Sequence, residues 1–356
     1  MRIAFTADIH LTNEQRHSSR SDALANILAQ CASSRVDALI IAGDLFNSDV
    51  ANPRVLENII RQAQPLEFPI IILPGNHDPH LTTNLFTNEL HLRVIELPEL
   101  DREHFDIPIL FIPYAPDRRL GEVLSNFKTD LVPNGFLLVS HGDLPGQIQE
   151  RNTFEGGFYM PLFKRELQEF KPRQVFLGHI HSPISNGTVH YPGSPIGLDI
   201  TETGIRSFIV YDTKTNEIER KTIKSNSVNY IKKILLTPGR DETDQLNRYV
   251  EGWKHDWEQT DPSTLIVLRV TIEGYSSSRG IIESNLKELL SQSTNPIQIE
   301  SIDTSNLSAF NQEVLSGALE DLKRIVADLP LNDAKSLPER EQIFSEVLNL
   351  LFGGKP

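Results

Sequence analysis

A chain of 356 residues has room for about two domains at roughly 150 residues each. With 39% hydrophobic and 23% charged residues it has the composition of a globular protein, not of a disordered or fibrous one. The formal charge of −14, from 34 basic and 48 acidic residues, argues against unassisted binding to a polyanion, because phosphate contacts supply most of such affinity. The excess is shared evenly on either side of residue 225, so no basic domain hides behind an acidic tail.

A single cysteine, Cys31, excludes an internal disulfide, and its place in an apolar helical pattern fits a buried thiol in a reducing compartment. The first residues reach Asp8 without a long apolar stretch, and no run of ~18 apolar residues follows. Neither a signal peptide nor a membrane span is expected, and the localisation expected is cytoplasmic.

In chain order, short apolar runs at Ile3–Phe5, Ala38–Ala42, Ile70–Leu73, Ile109–Ile112, Phe136–Val139 and Val175–Leu177 predict buried strands. Between the early ones lie 3.6-residue patterns, Leu24, Ile27, Leu28, Cys31 and then Val55, Leu56, Ile59, Ile60; Pro53 opens the second, where proline suits a first helical turn. The stripe from Val55 to Ile60 fits either a core face or half of a dimer interface. Strand alternating with helix predicts a sheet covered on both faces. Alternating strands Ser207–Tyr211 and Ile218–Ile223, joined by the turn-like Asp212–Asn216, finish a first domain at residues 1–225.

A polar link around Ser225–Asn229 leads to a second unit, residues 230–303, with strands at Ile231–Leu236 and Leu265–Ile272 and a helix over Ile281–Leu290. A small α+β domain is expected there. Residues 304–356 carry two amphipathic patterns, from Phe310 to Val326 and from Ile343 to Leu351, interrupted by Pro330 and Pro338. They fit a partner-docking segment or helices folded back on the second domain.

Five short segments hold metal-type ligands, each at or just beyond the end of an expected strand: Asp8-Ile9-His10, Gly43-Asp44, Gly75-Asn76-His77-Asp78, Ser140-His141-Gly142 and Gly178-His179-Ile180-His181. Ligands of open α/β sheets bind at the carboxyl ends of strands, so five such loops can converge. Carboxylate, imidazole and amide without thiolate suit manganese, iron or zinc better than copper or an iron–sulfur cluster. Seven candidates exceed one ion's needs. A carboxylate shared between two ions ~3.5–4 Å apart accommodates them and clamps both oxygens of a phosphoryl transfer.

At these residues the chain resembles the calcineurin-like metallophosphoesterase superfamily, over about residues 1–220. The resemblance implies a four-layer α/β/β/α sandwich with a small α+β capping domain and C-terminal helices, and two divalent ions, manganese being the expected metal. It implies Asp8, His10, Asp44 and His181 on one ion, and Asp44, Asn76, His141 and His179 on the other. His77 matches the family's acid or transition-state stabiliser, and Asp78 its orienting partner. Gly43-Asp44-Leu45-Phe46, Leu177 to His181, and Tyr191-Pro192-Gly193-Ser194-Pro195 followed by Phe208 to Tyr211 are similar to the SbcD branch of DNA nucleases. That branch implies DNA as substrate, an SbcC-type coiled-coil ATPase docked on the C-terminal segment, a homodimer, and a capping domain that contacts DNA. Asn47 departs from the histidine or aspartate of other members; its amide can hydrogen-bond a phosphate but cannot shuttle a proton.

Two rivals share the ligand set: a phosphodiesterase or phosphatase for nucleotides and other small molecules, which needs no basic groove, and a non-catalytic scaffold for an ATPase complex. His17, His80, His91, His104, His190 and His255 lie outside the motifs and read as ordinary surface or core histidines.

Overall fold

The computed structural model describes residues 1–13, 18–47, 52–63, 65–87, 91–146, 158–237, 241–258, 260–276, 278–309, 321–322, 324–328, 343–344 and 346–347. The chain divides into two compact units at Ser225/Asn226. The first contains, in chain order, β1 (Arg2–Thr6), α1 (Ser18–Ser33), β2 (Ala38–Ala42), α2 (Pro53–Ala63), β3 (Ile70–Leu73), β4 (Leu92–Val94), β5 (Glu99–Asp101), β6 (Ile109–Ile112) and α3 (Leu120–Ser125). It continues with β7 (Leu137–His141), α4 (Lys164–Phe170), β8 (Gln174–Gly178), β9 (Ile184–Asn186), β10 (Val189–Tyr191), β11 (Ser207–Asp212) and β12 (Ile218–Thr222).

These strands form two six-stranded sheets, in the orders β12-β11-β1-β2-β3-β4 and β5-β6-β7-β8-β10-β9. Strands β1 to β4 run parallel, as do β6, β7, β8 and β10, so their carboxyl ends gather at one edge of each sheet. The side-chain period of two divides every apolar run between two cores. In β2, Ala38, Ile40 and Ala42 pack between the sheets, while Leu39 and Ile41 face α1 and α2. In the second sheet Ile109, Phe111, Leu137, Val139 and Phe176 fill the same inter-sheet layer, and Leu110, Ile112, Leu138, Val175 and Leu177 meet α3 and its surroundings. Phe5 and Phe176 stack across the layer with ring centroids 3.7 Å apart. The result is the four-layer α/β/β/α sandwich, and burial on both faces is why the strands read as unbroken apolar runs.

Helix α2 begins at Pro53, and its Leu56, Ile59 and Ile60 are buried with Val55 packed beside them, so that stripe is core. Cys31 lies on the buried face of α1. The sequence signals do not mark α3, α4, β4, β5, β9 or β10. Each is seven residues or fewer, too short for a helical period or a clear alternation to develop.

The second unit has β13 (Ser227–Leu236), α5 (Glu242–Trp257), β14 (Leu265–Ser276), α6 (Arg279–Ser291), β15 (Ile297–Asp303) and β16 (Leu307–Ala309). All its strand pairs are parallel, with β14 between β13 and β15, and the helices make the crossovers. Alternate residues of β14, Ile266, Leu268, Val270 and Ile272, pack with Leu246, Val250, Ile282 and Leu286 from α5 and α6. Asp241 caps α5 by accepting the Asp244 N–H at 2.9 Å. The sheet runs past Asp303, because β16 pairs with the last residues of β14. Most of the two amphipathic patterns after Thr304 lies outside the described residues; the described part buries Val326 and Phe344 against Tyr275 of β14, with Leu322 and Ile343 beside them. Among the described residues, no helix is long and apolar enough to cross a membrane.

Candidate metal centre

The five ligand-bearing segments meet where the carboxyl ends of β1, β2 and β3 face those of β7 and β8. The β1 and β2 loops are zipped together: the Asp8 N–H donates to the Gly43 carbonyl at 3.1 Å and the His10 N–H to the Asp44 carbonyl at 3.0 Å. Asp8, His10, Asp44 and His179 all have positive φ, at 54°, 52°, 52° and 98°. Such backbone costs on the order of 1–3 kcal/mol per residue and persists where surrounding contacts hold it. Gly43, with φ +95°, lies so close to His141 that a Cβ there would overlap the imidazole ring, and a Cβ on Gly75 would overlap Asp44. Glycine is required at both positions for the loops to close.

One half of the centre is built on Asp8, His10 and His181, whose donor atoms lie within 4.8 Å of one another; Asp8, Asp44 and His141 form a second such set and His10, Asp44 and His77 a third. Asp8 and Asp44 are buried, and Asp8 accepts the His179 N–H at 2.9 Å while Asp44 Oδ1 accepts the His77 N–H at the same distance. The other Asp44 oxygen, Oδ2, lies 3.5 Å from His141 Nε2 and 3.6 Å from His10 Nε2. Asn76 completes the other half, its Oδ1 being 2.8 Å from His141 Nε2 and 3.2 Å from His179 Nδ1.

These atoms fit a divalent cation. His10 is 3% exposed, yet neither of its ring nitrogens has a hydrogen-bond partner. Burial pushes its imidazole down to about 3, so it stands neutral with a free lone pair. His141 Nδ1 lies 2.9 Å from the Ala42 carbonyl, an acceptor only, so Nδ1 carries a proton and the opposite nitrogen faces two oxygens. Burial alone would lower the His141 pKa, but the Asp44 and Asp8 carboxylates outweigh it and raise it to about 10. Burial raises Asp8, and for Asp44 it is outweighed by the neighbouring His141, His10 and His77, which hold that carboxyl well below the usual range.

His77 is half-buried beside His10, their ring centroids 4.8 Å apart, and its Nδ1 lies 3.3 Å from the Asn47 main-chain carbonyl. The departure at position 47 leaves this contact intact, since any residue supplies that oxygen. Asp78, expected to orient His77, is buried next to it in the chain. Its buried carboxylate accepts the Gly75 N–H at 2.7 Å and the Phe46 N–H at 3.0 Å, tying the β2 and β3 loops together. Burial and the nearby Asp44 raise it to about 6.

Residues without a sequence signal also reach the centre. Asp143 Oδ1 is 3.6 Å from His179 Nε2, and its Oδ2 accepts the Tyr159 N–H at 2.7 Å. Glu202 meets His181, and buried Arg20 donates to the His10 carbonyl at 2.6 Å. The Tyr159 ring tilts over His179 at 4.9 Å. Only Asp143 adjoins a ligand motif; Glu202 and Arg20 are brought in by the fold. Of the other histidines, His80, His91, His104 and His255 are exposed, His190 is buried between Gln174 and Ser185, and His17 lies outside the described residues.

The calcineurin-like phosphoesterase family profile matches residues 1–204. The chain is 27% identical over 270 residues to the SbcD component of the SbcCD nuclease of Bacillus subtilis, covering 61% of this chain and 67% of that protein. It is 26% identical over 364 aligned positions to the DNA double-strand break repair protein Mre11 of Methanosarcina mazei, covering 94% of this chain and 55% of the relative. The Mre11 of Methanopyrus kandleri is 24% identical over 234 residues, 57% of this chain and 50% of that one. The chain thus spans about half the length of the archaeal relatives that it matches. With the sandwich fold, the convergent ligand set and the profile match in agreement, the chain belongs to the calcineurin-like phosphoesterases, metal-dependent hydrolases with a dimetal centre, and is homologous to the SbcD and Mre11 nucleases.

Proposed function

We propose that the chain is a DNA phosphodiesterase, the nuclease subunit of a complex in which a coiled-coil ATPase supplies much of the DNA affinity. The observation that carries a two-metal reaction is the buried His10 ring, both nitrogens unpartnered, beside Asp8, Asp44 and His181. DNA as the substrate rests on the relatives, two of which are named for double-strand break repair, and on the Tyr191–Pro195 motif.

In this reading Asp8, His10, Asp44 and His181 would hold one ion and Asp44, Asn76, His141 and His179 the other, Asp44 being common to both sets. The carboxylate, imidazole and amide donors suit manganese. A pair of divalent ions supplies Lewis-acid polarisation of the phosphoryl oxygens and a water acidic enough to attack at neutral pH. His77 carries the proton. Because the Asn47 carbonyl only accepts, Nδ1 stays protonated, and Nε2 is the ring atom that gives its proton to the leaving oxygen. Asp78 holds the loop that presents His77. The C-terminal segment is assigned to ATPase docking, the second unit to DNA contact, and the active species to a homodimer in the cytoplasm.

The net charge of −14 favours a second reading, hydrolysis of small phosphoesters that need no basic groove. Cleavage of a labelled hairpin and a linear duplex separates the two, measured in manganese and in chelator beside bis-p-nitrophenyl phosphate, with and without the ATPase. Manganese-dependent cutting of DNA, absent in His77→Ala, supports the nuclease. Cleavage of the small ester alone, ATPase present, overturns it in favour of the second reading, and bound metal without any hydrolysis points to a scaffold.

A further inference from the structure

The Tyr191–Pro195 motif is a sequence signature without a place in the chemistry above. The structure wraps it around the backbone of His181: the Ser194 N–H donates to the His181 carbonyl at 2.9 Å. Gly193, at φ +81°, approaches so closely that a Cβ would stand 2.7 Å from that same oxygen and 2.8 Å from the Pro183 nitrogen. Arg206 adds a third grip, its Nη1 donating to the His181 carbonyl at 2.7 Å. Three contacts thus fix where the His181 main chain lies. None of them fixes the ring.

The ring is met by Glu202. Its two oxygens do different work. Oε2 accepts the Ser194 hydroxyl and the Leu198 N–H, both at 3.0 Å, and lies 3.5 Å from Arg206 Nη2, so it belongs to the 194–198 loop. That anchoring aims Oε1 at His181 Nδ1, 2.6 Å away. A carboxylate oxygen accepts only, so the hydrogen of a neutral ring is drawn to Nδ1 and Nε2 is left bare. His181 belongs with Asp8 and His10 to a set whose donor atoms lie within 4.8 Å.

We propose that Glu202 is a positioning residue for His181, holding the ring's rotation and its Nδ1–H tautomer through Oε1 so that Nε2 is presented to the ion shared with Asp8 and His10. The carboxylate–histidine pair raises ligand basicity as well as fixing orientation. The motif around Ser194 has its purpose in this arrangement: it anchors the oxygen that anchors the ligand. This inference rests on the two-metal reading, and its test separates the two.

The full chain and the variants Glu202→Ala, Glu202→Gln and Ser194→Ala are titrated with MnCl2 by calorimetry, and histidine ring 15N shifts are recorded on zinc-loaded samples. In the parent, two ions bind and His181 shows a protonated Nδ1. Glu202→Ala weakens one ion by roughly 10–100-fold, leaves the other, and scrambles the His181 tautomer. Glu202→Gln, whose amide oxygen still accepts from Nδ1, restores the tautomer and recovers part of the affinity. Ser194→Ala, which removes a contact of the loop and none of the ring, has the smaller effect. Wild-type affinity for both ions in Glu202→Ala overturns the proposal, as does equal loss of both ions in Glu202→Gln with the fold intact by circular dichroism. A parent that binds no ion contradicts the two-metal reading instead, and a His181 of the metal-free parent at alkaline pH with a bare Nδ1 then overturns the positioning role on its own.

Discussion

His10 Nε2 and Asp44 Oδ2 lie 3.6 Å apart, each buried, too far for a hydrogen bond and close enough to share a cation. A buried imidazole without a hydrogen-bond partner here faces a carboxylate oxygen, an arrangement that a divalent cation fits. Asp44 Oδ2 is also 3.5 Å from His141 Nε2, which is the geometry behind its proposed place in both ligand sets.

Replacing Asp44 by Asn is therefore expected to lower occupancy of both ions, by more than the roughly 10–100-fold that loss of an outer partner costs. Calorimetric titration with manganese measures it. Two tight ions retained in Asp44→Asn contradict the bridging assignment.

His77→Ala is expected to bind metal as the parent does and to hydrolyse bis-p-nitrophenyl phosphate about 10²–10⁴-fold more slowly, the usual worth of a positioned acid. Metal content by elemental analysis and kcat decide it together. Loss of an ion would make His77 a ligand, in line with its proximity to His10 and Asp44.

Asp78→Ala removes the acceptor of two main-chain N–H groups, those of Gly75 and Phe46. Each buried donor left unpaired costs about 1–3 kcal/mol, so the first unit should unfold at a markedly lower denaturant concentration. Were Asp78 only an orienting partner of His77, the activity would fall and the stability would stay.

His190 supplies a pH dependence away from the metal centre. Burial, helped by the positive Arg220, pushes its pKa down to about 4 from 6.5, and it rests between Ser185 Oγ and Gln174 Oε1. The unfolded chain binds the proton first, so the contribution to stability is complete above pH 6.5 and is lost as pH falls towards 4. Urea midpoints between pH 8 and 4 should fall less steeply for His190→Gln than for the parent. Parallel slopes would remove His190 from the acid response.

The long strands of the first unit were legible because each lies between two covering layers, which turns Ala38–Ala42 or Ile109–Ile112 into a solid apolar word. The edge strands were not, since Leu92–Val94 and Glu99–Asp101 are half-exposed and three residues long. That the candidate ligands would converge was legible for a related reason: aspartate and histidine directly after a buried strand have few structural uses. Glu202 carries no such mark, for it lies in a polar stretch 21 residues after His181 and meets it only through the loop between them. Adjacency to His77 in sequence says nothing of direction, so the two main-chain N–H groups that the Asp78 carboxylate accepts, from Gly75 and from Phe46 of the β2 loop, were not legible.

Asp8, His10, Asp44 and Asn76 follow strands of the first sheet, whereas His141, His179 and His181 belong to strands of the second or to the loops that follow them. The layer holding Phe5 against Phe176 lies between the two sheets. Neither of the two proposed four-residue ligand sets is complete in one sheet alone, so tight binding of both ions is expected to begin when that layer closes. A manganese signal followed during refolding should therefore clock the meeting of the sheets, and a change such as Phe176→Leu, in the layer and not among the proposed ligands, should register in that clock before it registers in catalysis.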